Sequence, residues 1–442
     1  MCRIRVVRNL QGSESFHSKF RVGRGAIAIS QLRTPHSALC LLVLLLAGAA
    51  LAFAQQAAPR PLSLSQALGI ADRNNLDLVA ARRQRAVAEA GIRIAGARPN
   101  PAFNFTASRD QPHEGVFFDQ TIELGGKRGH RIQEAHEESR LTDIDIFTLE
   151  RQVRRTTREG YYNLALARAE TARLAKVVEL AQRLRDIARD RFQAGDIPEL
   201  EVIQAELELS RAQADYQVAA QEEKVALSEL DVLLNEPATT DWQLEGSLTD
   251  TLPTVDLRDL VERAAESNPE LQRLAQELNV ERSRHSLLKA ERIPNLDLQF
   301  GLDFNSLPDF RAGPRGQISL AFPLFYRNQG EIAQLLATER VLEAEAAATR
   351  RSVEGNVERA YLDLAARQTQ VDLYGGKLLP AARHLAELAE ESYKAGKANI
   401  LTVIDAQRNA QDVEKTYLDS LFALQSAFAV VEETVGVSLG QP

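Results

Sequence analysis

The chain has 442 residues, 44% of them hydrophobic and 26% charged, with 53 Lys and Arg against 61 Asp and Glu for a net charge of −8. The acidic balance excludes nucleic-acid binding through bulk charge, and the ordinary hydrophobic fraction excludes a polytopic helical membrane protein built from many apolar runs of about 20 residues. Two cysteines leave no room for a disulfide scaffold or a thiolate metal cluster.

The first element is a leader. Residues 39–54 form one apolar run behind Arg21, Arg24 and Arg33, and the run ends in Ala52-Phe53-Ala54, the small-x-small pattern read by signal peptidase. Residues 1–54 are therefore expected to be a signal peptide with an upstream extension. Met1 is the only methionine, so an alternative start codon is expected to lie downstream, with Val22 a candidate. Removing the leader takes away seven basic residues and one acid, leaving 46 basic and 60 acidic residues, a net charge of −14, and no cysteine.

The mature chain is written twice. Residues 67–78, ALGIADRNNLDL, align with 260–271, LVERAAESNPEL, at an offset of 193, and Pro101 falls on Pro294. Tyr161 falls on Tyr361 at an offset of 200, and one further inserted residue brings RFQAGDI (191–197) onto SYKAGKA (392–398). Two structural repeats, 55–248 and 249–442, are expected, each with a helix, a β-hairpin (about 101–124 and 295–324) and two long helices. The post-strand helices, about 129–193 and 331–394, would each reach on the order of 100 Å.

In the second repeat, Val403, Ala406, Ala410, Val413, Tyr417, Ser420, Leu424, Ala427 and Val431 recur at alternating spacings of three and four. Val202, Ala205, Leu209, Ala212, Tyr216, Ala219, Glu223, Ala226 and Leu230 do so in the first. This is coiled-coil spacing, and its many alanines suit close packing in an array of antiparallel helices. Gly375, Gly376 and Pro380 interrupt the second repeat between Tyr361 and Tyr393, where the extra residue falls, so a kink or bulge is expected there and not in the first repeat.

Asn295 to Phe304 alternates strictly, with Leu296, Leu298, Phe300, Leu302 and Phe304 on one face and polar residues or glycine on the other. That length and pattern fit a transmembrane β-strand whose leucine and phenylalanine face touches lipid. Its expected partner is 317–324, with 305–315, rich in Pro and Gly, as a surface loop. Phe103, Phe105, Phe118 and Ile122 carry a fainter version in the first repeat. Four strands cannot close a barrel, and an open sheet edge cannot face lipid, so this reading requires several chains to share one barrel.

The doubled grammar, QTIELGGKRG (120–129) and LAFPLFYRNQG (320–330) leaving the hairpins, and AGDIPELEVIQAELE (194–208) and AGKANILTVIDAQRN (395–409) at the helical tips resemble the TolC family of outer-membrane efflux proteins over about residues 62–437. The ELGGKR exit most resembles the CzcC-like heavy-metal efflux branch. The resemblance implies a mainly α fold with short β: a long antiparallel helical barrel in the periplasm of a Gram-negative bacterium, joined to a 12-strand outer-membrane β-barrel made by a homotrimer. It implies a passive duct, with a periplasmic adaptor and an inner-membrane pump of RND type as partners. By motif match it also implies a periplasmic aperture at Asp405, with Thr402 standing where relatives often carry a second acid, and acidic first-repeat tips at Glu201 and Glu206. Gly195 and Asp196, with Gly396 and Lys397, are expected at the tips that dock the adaptor. A ring of carboxylates favours cations.

Other candidates fail. Gly125-Gly126-Lys127 lacks the first glycine and the Ser/Thr of a phosphate loop, and the mature histidines show no metal-ligand spacing. No enzyme, cofactor or resident metal is expected. The rival readings are a periplasmic coiled-coil adaptor without a pore and a type I secretion duct.

Overall fold

The computed structural model describes residues 60–440 apart from 239 and 307. The expected signal peptide and start site lie outside the described residues. Among those residues no helix is long and apolar enough to cross a membrane.

Helices α1 (Leu64–Asn74) and α2 (Leu76–Ala95) meet at Asn75, which caps α2 by accepting from the amides of Asp77 and Leu78. Ser63 and Gln66 close a capping box at the start of α1. Helices α5 (Leu257–Ser267) and α6 (Pro269–Glu291) meet in the same way at Asn268, with Pro269 in the first turn. Each junction is also tied to a distant helix end, Asn75 Nδ2 donating to Leu233 O at 3.1 Å and Asn268 Nδ2 to Thr434 O at 2.8 Å.

The long helix α3 runs from Lys127 to Gln193 without interruption, and its 67 residues make it about 100 Å long. It returns through α4 (Glu199–Leu234). In the second half the outgoing helix is divided: α7 (Gln329–Leu373), a π-helical turn (Tyr374–Leu378) and α8 (Leu379–Lys394), followed by the return helix α9 (Ile400–Val435). The expected interruption is this π turn. A Cβ on Gly375 would stand 2.8 Å from the ring of Tyr417 on α9, so the glycine in this turn leaves room for that ring. The buried seam also steps by one residue across it, from Val353, Val357 and Leu364 to Leu379, Ala382, Ala386, Ala389 and Tyr393. Most positions of both expected seams on the return helices are buried or half-buried.

Midway along the array lies the largest core cluster. Tyr161, wholly buried, donates to Leu62 O at 3.1 Å and accepts from Gly246 N at 2.9 Å. It thereby pins the short parallel strands β1 (Arg60–Leu62) and β4 (Trp242–Leu244) onto α3. A second cluster, around Val357, Phe428 and Val431, packs α5, α7 and α9.

The sheet has four antiparallel strands in the order β2 (Ala102–Ala107), β3 (Glu114–Ile122), β5 (Leu296–Ser306) and β6 (Phe310–Leu320), the two hairpins joining through β3 and β5. One expectation is corrected here. Residues 310–315 are strand, paired with β5 from Ala312↔Phe304 onward, and 321–324 are not. Gly313 and Pro314 read as loop because they lack β-propensity, but β6 has only β5 as a neighbour within this chain, and proline is tolerated on such a strand.

Candidate functional site: the two ends of the array

The tips are built by helix-terminating glycines. Gly195 (φ 81°) and Gly396 (φ 70°) adopt the left-handed conformation. In each tip the next amide reaches back five residues, Asp196 N to Arg191 O at 2.9 Å and Lys397 N to Ser392 O at 2.8 Å. Asp196 and Lys397 are exposed beside them. Ile197, Val202, Tyr393, Ile400 and Val403 form one buried cluster that holds the two tips together.

The residues expected at the aperture have different surroundings. Asp405 is exposed on α9. Thr402, one turn earlier, is occupied in capping: its amide and its hydroxyl both donate to Asn399 Oδ1 at 2.9 Å. Glu206 is paired with Arg189 at 2.5 Å. Glu201 is half-buried beside the fully buried Tyr393, whose phenol is pushed up by burial and then by the charge of Glu201. Each of the three acids thus has its own surroundings: solvent for Asp405, Arg189 for Glu206 and Tyr393 for Glu201. Among the described residues no group of three His, Cys, Asp or Glu is placed to hold a metal ion.

Three basic residues at the tips are not legible as functional from the sequence. Arg191 lies over the Tyr393 ring at 4.8 Å and donates to Tyr393 O at 3.1 Å. Arg408, one turn beyond Asp405, binds Glu208 of α4 at 2.5 Å, and this bond holds its guanidinium above the ordinary arginine range. Arg189 neutralises Glu206. Their partners lie on other helices, and nothing in the local sequence reports them; only the position of Tyr393 in the SYKAGKA motif points to this place.

At the opposite end the pairing register puts Leu296, Leu298, Phe300, Leu302 and Phe304 on one face of the sheet. Phe103 and Phe105 of β2, Val116, Phe118 and Ile122 of β3, and Ile318 and Leu320 of β6 share it. Phe103, Phe105, Phe300 and Ile318 are each more than half exposed, so the apolar face is uncovered in the single chain. Phe103 and Phe118 meet edge-to-face at 5.3 Å between ring centroids.

A hundred-ångström helical array with glycine tips at one end and a four-stranded sheet with an uncovered apolar face at the other defines a class, the export-duct protomer. The chain belongs to the outer membrane efflux protein family, whose model matches residues 67–236 and again 260–437. It is similar to the cobalt-zinc-cadmium resistance protein CzcC of Cupriavidus metallidurans, 24% identical over 85% of this chain and 90% of the relative. It is also similar to the pyoverdine export outer membrane protein OpmQ of Pseudomonas putida, 27% identical over 84% of this chain and 86% of the relative. Among solved structures, the CmeC outer membrane channel of Campylobacter jejuni superposes with a TM-score of 0.68 at 18% identity, covering 84% of this chain and 85% of that one. The family is one of channels, so the chain is an efflux channel and not an enzyme, and the reading as an adaptor is set aside.

Proposed function

We propose that three copies of the chain form an outer-membrane duct that passively conducts cargo delivered by a periplasmic adaptor and an inner-membrane pump of RND type. The observation that carries this reading is the sheet. Its apolar face runs across all four strands, interrupted at Gln120 and Glu114 of β3, yet β2 and β6 end it with open edges. In lipid each unpaired edge group costs several kcal/mol (roughly 2–7 without a compensating hydrogen bond), so β6 of one copy must pair with β2 of the next until the sheet closes. Three copies give twelve strands, with Leu296, Leu298, Phe300, Leu302 and Phe304 facing lipid. The matching helix–hairpin–helix–helix orders of 55–248 and 249–442 act as two repeats that double each protomer's share of the wall.

The proposed location is the outer membrane of a Gram-negative bacterium, with the helices in the periplasm. Heavy-metal cations are the proposed cargo, supported by the likeness to CzcC over nearly the whole length of both chains. Fractionation and reconstitution test the assembly: an outer-membrane trimer that conducts in planar bilayers is expected, and a soluble periplasmic monomer would refute it. Deletion of the gene is expected to sensitise its host to cobalt, zinc or cadmium; unchanged metal tolerance with increased sensitivity to other exported compounds would replace the cargo.

At the periplasmic end, Asp405 is the proposed aperture acid, with Glu201 adding to the negative potential, Glu206 compensated by Arg189, and Thr402 donating to Asn399, the cap of the helix that presents Asp405. Asp405→Ala is expected to raise single-channel conductance and weaken block by divalent cations; unaltered values would remove Asp405 from the aperture. Gly195, Asp196, Gly396 and Lys397 form the proposed docking tips. Single cysteines at 196 or 397 are expected to crosslink to the adaptor in intact cells, and absence of any adduct from both would place docking elsewhere.

A further inference from the structure

The polar face of the sheet holds a built assembly that neither the repeats nor the family reading accounts for. Phe117 lies on this face opposite Gly301 and is 3% exposed. Two glycines give it room. A Cβ on Gly115 would stand 2.6 Å from its ring, and one on Gly301 would overlap both the ring and the backbone oxygen of Val116. Gly301 in turn pairs with Arg315 of β6. The Arg315 guanidinium reaches across the glycine to lie 5.5 Å from the Phe117 ring centroid, and its Nε donates to Asp303 at 2.8 Å. Asp303 is 5% exposed, a depth at which a carboxylate requires a partner.

The charges around it are unevenly placed. Toward the helices, the same face carries Asp119, which accepts from Asn104, and Asp297, which accepts from Thr121 at 2.5 Å. Toward the loops it carries Arg315 and, by alternation, Arg311. A twelve-stranded barrel is intermediate between an eight-stranded one, which side chains fill, and a porin, so three extended arginines at one level would dominate its interior. Laid against Phe117 and neutralised by Asp303, they do not.

We propose that the Phe117–Arg315–Asp303 assembly sets the charge selectivity of the barrel, Asp303 holding Arg315 flat against the wall so that it adds no second cationic ring to that of Arg311. This rests on the trimeric duct reading, which places the polar face on the lumen. An exit whose Arg315 charges are compensated, above an acidic interior, passes cations, and a released Arg315 would oppose them.

The test is the reversal potential of purified trimers in planar bilayers across a potassium chloride gradient. Asp303→Asn is expected to lower the ratio of cation to anion permeability about threefold or more, and Arg315→Gln in that background to restore it. Arg315→Gln alone, at a half-exposed site that folding tolerates, is expected to shift the ratio the other way by baring Asp303. Should Asp303→Asn not assemble, Arg315→Gln decides alone. Wild-type ratios in conducting variant trimers would overturn this inference and leave the duct intact. A wild-type chain that forms no conducting trimer would overturn both.

Discussion

Glu432→Ala is expected to be among the most destabilising single changes outside the sheet, at about 3–5 kcal/mol, the range for removing one partner of a buried ion pair. Arg158 on α3 and Glu432 on α9 are paired at 3.2 Å with both side chains under a tenth exposed. Arg158 also lies 5.0 Å from the centroid of the Phe428 ring. Burial lowers its pKa from the ordinary arginine value, the charge of Glu432 partly restoring it, but the guanidinium stays protonated. Glu432 Oε1 additionally accepts from Leu439 N at 2.8 Å, Gly440 N at 3.1 Å and Ser438 Oγ at 3.3 Å, folding the C-terminal segment back onto α3 and α9.

Alanine would therefore strand a buried cation and release that segment. Trp242, the only tryptophan and itself buried, reports unfolding by fluorescence in a urea titration. The double variant Arg158→Met/Glu432→Leu is expected to lose much less than Glu432→Ala, because no charge is left unpaired. Equal losses would show that the pair is not the source of the effect.

The second large effect is at Gly301. Its Cβ position is already occupied by Val116 O and the Phe117 ring, so Gly301→Ala must push β3 from β5, the one pairing that joins the two hairpins. Overpacking of this kind costs at the upper end of about 1–3 kcal/mol per chain, and a trimer carries it three times. Loss of most of the outer-membrane trimer, with monomer accumulating, is the expected outcome on non-denaturing gels. Gly316→Ala is the control: on the neighbouring strand its nearest atoms would be 4.0 Å away, an ordinary contact, and trimer yield should not change. Equal behaviour of the two variants would mean that the crowding at Gly301 is relieved elsewhere.

These two sites also mark where the sequence stops being informative. The seams of α4 and α9 are legible because alanines at alternating spacings of three and four are a local signal, and both seams are the packed faces. Strand β5 is legible because leucine and phenylalanine alternate with polar residues for ten positions. Residues 310–315 of β6 are not, because a strand that includes Gly313, Pro314 and Gly316 draws its pairing from β5 and not from its own propensities. Phe117 escapes notice because it breaks the polar face of β3, and only the register shows Gly301 opposite it. Glu432 reads as one of many acids on a helix; its partner is Arg158, on a different helix in the other half of the chain. The tip acids are legible as positions by motif, whereas Arg189, Arg191 and Arg408, which decide how much charge those acids present, act across helices.

The π turn at Tyr374–Leu378 has a further consequence. One residue added to a regular helix rotates everything beyond it by about 100° and advances it about 1.5 Å, which would carry every later contact off its partner. Here the addition is confined to five residues, and the seam resumes one position later with the same side facing α9. The turn acts as a phase correction. A long helix built this way tolerates a change of length at one place without rewriting the many side chains between that place and the tip, so the outgoing helices of the two halves can differ in length and still bring Gly195 and Gly396 to the same end.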